Sequence, residues 1–105
     1  MAQLPEIYSL GELQMYVQEV EKERGFDEED AVQKCLLLGE EVGELFKAVR
    51  LASALKIDPS SEVRDVGEEL ADVLNYILAI ANRFDIDLSV QYARKESINR
   101  TRSWR

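Results

Sequence analysis

Apolar residues recur along this chain at helical spacing, and nowhere with the strict alternation of a strand. Leu10, Leu13, Val17 and Val20 mark a first helix from about Ser9 to Arg24, closed by Gly25. In the following turn Asp27 offers an N-cap, and Glu28, Glu29 and Asp30 fill the positive first turn of a second helix. That helix is expected to run to about Leu55. Asp58 then caps a third helix, with Pro59 at its first position, through about Phe84. A cap at Asp87 or Ser89 opens a fourth helix through about Asn99. The expected fold is all-α: a four-helix, bundle-like domain spanning residues 1–105. Its long second and third helices are expected to form a central antiparallel hairpin.

Two acidic clusters interrupt this pattern inside the long helices. They are Gly39-Glu40-Glu41-Val42-Gly43-Glu44 and Gly67-Glu68-Glu69-Leu70-Ala71-Asp72. At roughly 100° per residue, Glu41 and Glu44 lie about 60° apart on one face, and so do Glu69 and Asp72. Leu37, Ala48 and Leu55 share the Glu41/Glu44 stripe, so two carboxylates stand in an apolar row. An unpaired carboxylate taken out of water is costly, and such a pair calls for a cation. On the third helix Asp65, Glu69, Asp72 and Tyr76 form a stripe bordering the main apolar face of Val66, Leu70, Val73, Ile77 and Phe84. The two acidic pairs can meet across the hairpin. The glycines at 39, 43 and 67 fit either close helix approach or simple tolerance.

Charge and composition narrow the chemistry. The 105 residues carry 21 acids and 13 bases, a net charge of −8, with no histidine and one cysteine. Imidazole-based triads, histidine zinc sites and Glu-x-x-His di-iron bundles are therefore excluded. Cys35 permits no internal disulfide and, beside apolar neighbours, is expected to be a small buried hydrophobe. An all-oxygen donor set suits Mg²⁺, or Mn²⁺ in its place, and Mg²⁺ so held commonly shares its remaining positions with substrate phosphates. The last twelve residues carry five bases and one acid, whereas the first 93 carry 8 bases and 20 acids. The acidic body argues against nucleic acid as a partner. The first residues show no leader-like pattern and no stretch nears roughly 18 consecutive apolar residues, so no membrane partner and a cytoplasmic location are expected.

At these residues the chain resembles a known family. Glu40-Glu41-x-x-Glu44 followed, after 24 residues, by Glu69-x-x-Asp72 is similar to the EExxE…ExxD signature of the MazG-like all-α nucleoside triphosphate pyrophosphohydrolases. That superfamily includes dimeric dUTPases, dCTP pyrophosphatases and phosphoribosyl-ATP pyrophosphohydrolases. The stretches LLLGEEVGELFKAV and EELADVLNYILAI resemble its two central helices, and Lys95, Asn99, Arg102 and Trp104 its ending. The resemblance implies Glu41, Glu44, Glu69 and Asp72 as Mg²⁺ ligands. It implies Glu40, with Glu41, as an acid assisting a second metal or the attacking water. Tyr76, Lys95 and Asn99 match nucleotide-contacting positions, and Arg102, seven residues after Lys95, shares one face with Lys95 and Asn99 if the fourth helix lasts that far, while Lys34 and Phe26 could reach phosphate and base. Trp104 is either a stacking ring or a packing anchor.

The reaction so implied is hydrolysis of a (deoxy)nucleoside triphosphate to the monophosphate and pyrophosphate, as nucleotide-pool cleansing. The resemblance also implies a dimer or tetramer. Leu36, Leu37, Phe46, Leu51 and Leu55 surround the second helix in a way one small bundle does not cover, and a homo-oligomer is expected, a tetramer ahead of a dimer. Two other readings stand beside this one: a phosphoribosyl-ATP pyrophosphohydrolase, and a silent helical oligomerisation module with solvated acids.

Overall fold

Ser9 opens the first helix with a reciprocal capping box: its hydroxyl accepts from the Glu12 amide, and the Glu12 carboxylate accepts from the Ser9 amide. The computed structural model describes residues 1–54 and 59–102. Among them lie four helices and no strand: α1 (Leu10–Arg24), α2 (Ala31–Ala54), α3 (Pro59–Arg83) and α4 (Leu88–Arg100). The all-α class expected from the periodicity is the one observed. Leu55, Asp58 and Trp104, each given a role above, lie outside the described residues.

The turn after α1 departs from expectation in its cap. Gly25, at φ 76°, ends α1, with its own amide donating to the Lys22 carbonyl and the Phe26 amide to that of Glu21. The cap of α2 falls at Asp30 rather than Asp27. Asp30 and Gln33 exchange side-chain and backbone hydrogen bonds of 2.8 Å, a pairing across three residues that Asp27 does not make. Residues 26–29 become a separate turn. Asp87 caps α4 as expected, accepting from the Val90 amide.

The third helix ends in a left-handed residue that is not glycine, Asp85 at φ 53°, which an aspartate tolerates. The chain thereby turns back so that α4 returns to α1. Gln14 of α1 fixes that return: its side chain donates to the Ile86 carbonyl and accepts from the Leu88 amide, while its carbonyl accepts from Asn82. The buried centre is small, with Val17, Leu78 and Ala79 flanked by Leu10, Leu13 and Leu88. Packing is most extensive between α2 and α3, while α1 lies against α3 and α4. Lys34 meets Tyr76, and Glu41 meets Glu69, so numbering rises along one helix as it falls along the other.

Much apolar surface remains bare. The radius of gyration is 16.3 Å, against about 13 Å for a compact chain of this length. The expected main face of α3 is only partly covered: Val66 and Val73 are half-buried, whereas Leu70, Ile77 and Phe84 are exposed. The buried positions lie to one side of it, at Leu78, Ala79 and Ala81, because α1 reaches only that side. On α2, Leu36 and Phe46 are each 69% exposed. Cys35 is exposed, contrary to the expectation of a buried hydrophobe. The helix turns Lys34, Leu37, Leu38, Glu41 and Ala48 inward, and Cys35 follows Lys34 by roughly 100°. A Cβ added at Gly39, Gly43 or Gly67 would meet nothing within 4 Å, so close helix approach does not account for them within this chain.

Candidate active site

Where α2 and α3 run side by side, Glu41, Glu69 and Asp72 bring carboxylate oxygens within 4.8 Å of one another. Glu69 and Asp72 are one helical turn apart, and the crossing of the two helices supplies Glu41. Glu41 and Glu69 are half-buried and Asp72 exposed. The Glu69 carboxyl is held above its ordinary value by its hydrogen bond with Glu41, by burial, and by the charges of Glu41, Asp72 and Glu44. Its Oε2 is buried without a hydrogen-bond partner. Three carboxylates so close repel one another, and an orphaned buried oxygen among them lacks the partner that a cation would be. The donors are oxygen only, which fits a hard divalent ion.

The other acids singled out in the sequence lie around this cluster. Glu44, one turn beyond Glu41, is exposed and acts on Glu69 through its charge without joining the group of three. Glu40 is exposed on α2 and also stays outside it.

Beside the cluster lies a cavity of about 290 Å³, walled by α1, α2, α3 and the 26–29 turn. Asp72 belongs to both cluster and cavity, and Asn75, Tyr76 and Leu37 continue the wall away from it. Phe26 and Glu29 line the cavity from the 26–29 turn. The cavity has aromatic faces and a few polar groups, the usual make-up of a small-molecule site.

Lys34 stands in that wall, buried to 4% exposure. Its Nζ lies 5.1 Å from the Phe26 ring centre and 5.6 Å from that of Tyr76. It pairs with Glu29 at 2.7 Å and with Glu21 at 3.2 Å. Glu21 in turn accepts from Arg83 through both carboxylate oxygens, at 2.9 Å each. Two acids and two bases thus form a charge-balanced network, the condition under which ions are tolerated out of water. Burial pushes the Glu21 carboxyl up, but the hydrogen bonds and charges of Arg83 and Lys34 outweigh it and hold the group below its usual value.

Of the substrate-contacting positions named from the sequence, the fold brings Lys34 and Tyr76 to the cavity, with Phe26. It does not bring Lys95, Asn99 or Arg102 there. They lie on or just beyond α4, which packs against α1, and Arg102 falls past the end of the helix rather than on one face with the other two. Glu21, Glu29, Asn75 and Arg83 escaped the sequence reading. Glu29 looked like a first-turn acid. Nothing local marks Glu21 and Arg83 as partners across 62 positions.

A helical domain whose carboxylate cluster shares a residue with a cavity wall belongs to a recognisable class. The chain matches the MazG nucleotide pyrophosphohydrolase domain over residues 34–102 and belongs to that family. The matched span contains α3, α4 and nearly all of α2, with the whole carboxylate cluster. The family uses divalent metals, in keeping with this donor set. No curated protein matches the chain.

Proposed function

We propose that this chain, as a single domain over residues 1–105, hydrolyses a (deoxy)nucleoside triphosphate between its α- and β-phosphates. The products are the monophosphate and pyrophosphate, and the role is nucleotide-pool cleansing in the cytoplasm. One observation carries this reading: Asp72 lines the cavity and belongs to the carboxylate cluster. A ligand occupying the cavity therefore abuts the cluster, as a nucleoside joined to its phosphates requires.

Glu41, Glu69 and Asp72, with Glu44 one turn on, would hold Mg²⁺ or Mn²⁺, which supplies positive charge to phosphate oxygens and acidity to water. The chain's own groups do the rest. Tyr76 and Phe26 offer ring faces to a base, and Lys34 keeps both rings and Glu29 in place. Glu40, outside the cluster but adjoining Glu41 in sequence, would accept a proton from attacking water, a role shared with Glu41.

We assign Lys95, Asn99 and Arg102 to the phosphate and sugar side of a site completed by a second copy of the chain. Support comes from α4, which buries none of its residues, and from the bare apolar faces of α2 and α3. The assembly is a homo-oligomer, a tetramer ahead of a dimer, built on the central α2–α3 hairpin. Neither nucleic acid nor membrane is a partner. Among the described residues no helix is long and apolar enough to cross a bilayer, and the net charge of −8 opposes phosphate-backbone binding.

The test is pyrophosphate release from each common NTP and dNTP, with Mg²⁺, with Mn²⁺ and with chelator. Metal-dependent release from at least one is expected. Release from none, with turnover of phosphoribosyl-ATP instead, would move the assignment to that substrate, and no release at all would remove it.

A further inference from the structure

Every N–H of the Arg83 guanidinium has an acceptor. Nε donates to the Glu29 carbonyl at 2.7 Å. Nη1 donates to Glu21 Oε1 and to the Ala79 carbonyl, both at 2.9 Å. Nη2 donates to Glu21 Oε2 at 2.9 Å and to the Phe26 carbonyl at 3.0 Å. Five donors thus join three separate pieces of chain: the end of α3, the end of α1, and the turn that carries Phe26 and Glu29. Arg83 itself does not line the cavity, but the side chains of Phe26, Glu29 and Glu21 do.

We propose that Arg83 is a positioning residue that sets the Phe26–Glu29 wall of the nucleotide cavity. It works by two routes. Through the carbonyls of Phe26 and Glu29 it holds the backbone of a turn that has no regular secondary structure of its own. Through Glu21 it orients the carboxylate that pairs with Lys34, and Lys34 lies against the Phe26 and Tyr76 rings. A lysine cannot replace it. An ammonium offers three donors on a point charge, where this site uses five in a planar fork.

The proposal rests on the function argued above in one respect, that the cavity receives the nucleoside. Phe26, Glu29 and Glu21 are not members of the carboxylate cluster, and among the described residues Asp72 alone belongs to both cavity and cluster. Loss of order in this wall should weaken ground-state and transition-state binding alike, which raises KM and leaves kcat.

The experiment compares wild type, Arg83→Lys, Phe26→Ala and the double variant, well below the melting temperature of the least stable. The readouts are steady-state kinetics on the preferred nucleoside triphosphate with Mg²⁺, and amide hydrogen exchange across residues 26–30. Arg83→Lys is expected to raise KM about tenfold with kcat within about twofold, and to speed exchange in the turn selectively. In the Phe26→Ala background the same substitution should raise KM by no more than about twofold, because residues acting through one another do not add. Unchanged KM alongside a lowered melting temperature would make Arg83 a stability residue only and overturn the proposal, as would fully additive effects. If the wild type hydrolyses no nucleotide, the functional reading falls by itself. The exchange arm still decides the positioning role, for which faster exchange in the turn counts and unchanged exchange counts against.

Discussion

Arg83 grips Glu21 by both carboxylate oxygens, each contact 2.9 Å long, across 62 positions of sequence. Lys34 completes the arrangement from a third helix at 3.2 Å. Most of what can be tested about this chain follows from that network and from the neighbouring carboxylate cluster.

The Glu21 carboxyl is displaced below its ordinary value of 4.5: burial raises it, but Arg83 and Lys34 lower it by more. The unfolded chain therefore binds the proton first as pH falls. Glu21 contributes stability above the unfolded value, and that contribution is lost as pH drops through the lower folded value. Urea unfolding from pH 7 to pH 3 should show wild-type stability falling steeply on the acid side, with a flatter profile for Glu21→Gln. Parallel profiles would assign the acid sensitivity to other groups.

Lys34 is paired with Glu29 and shares Glu21 with Arg83. Lys34→Met keeps the length of the side chain but leaves buried carboxylates short of charge. Removing one partner of a buried pair costs about 3–5 kcal/mol, and the remaining Arg83 contact places this case near the lower end. Chemical denaturation at pH 7 measures it, and a cost below about 1 kcal/mol, the range of exposed ion pairs, would contradict the buried network.

Asp72→Asn should separate fold from function. Mg²⁺ is expected to raise the melting temperature of the wild type by mass action, and to raise that of the variant far less. Partners standing behind a metal's ligands are worth about 10–100-fold, so a direct ligand should cost at least about 100-fold in pyrophosphate release. Without metal the variant should melt no lower than wild type, since one charge has left a repulsive cluster. Full activity at saturating Mg²⁺ would remove Asp72 from the ligand set.

Phe46 on α2 is 69% exposed. If a second copy covers that face, Phe46→Lys should shift sedimentation toward the monomer at micromolar concentration. A monomeric wild type would withdraw the shared-site assignment of Lys95, Asn99 and Arg102.

Leu78 is completely buried, at the centre of the small core. Leu78→Ala should cost about 2–5 kcal/mol in urea unfolding. A loss under about 1 kcal/mol would show that the core collapses around the gap.

The helices, their approximate ends and the acidic clusters could all be read along the chain, because each depends on neighbours a few residues away. Apolar spacing, the cap at Asp87 and the i,i+3 pair Glu69–Asp72 are of this kind. Asp27 misled for the same reason: several acids precede α2, and only the pairing of Asp30 with Gln33 distinguishes the cap. Which apolar residues are covered was not local. Leu70, Phe84 and Cys35 are exposed because α1 and α3 reach only one side of their partners. Nor was the partnership of Glu21, Arg83, Lys34 and Glu29, which looked like ordinary helix-surface charges until three helix ends converged. Local chemistry placed the carboxylates on their faces; the helix crossing that joins Glu41 to Glu69, and the turn that Arg83 ties down, exist only once distant parts of the chain exclude water together.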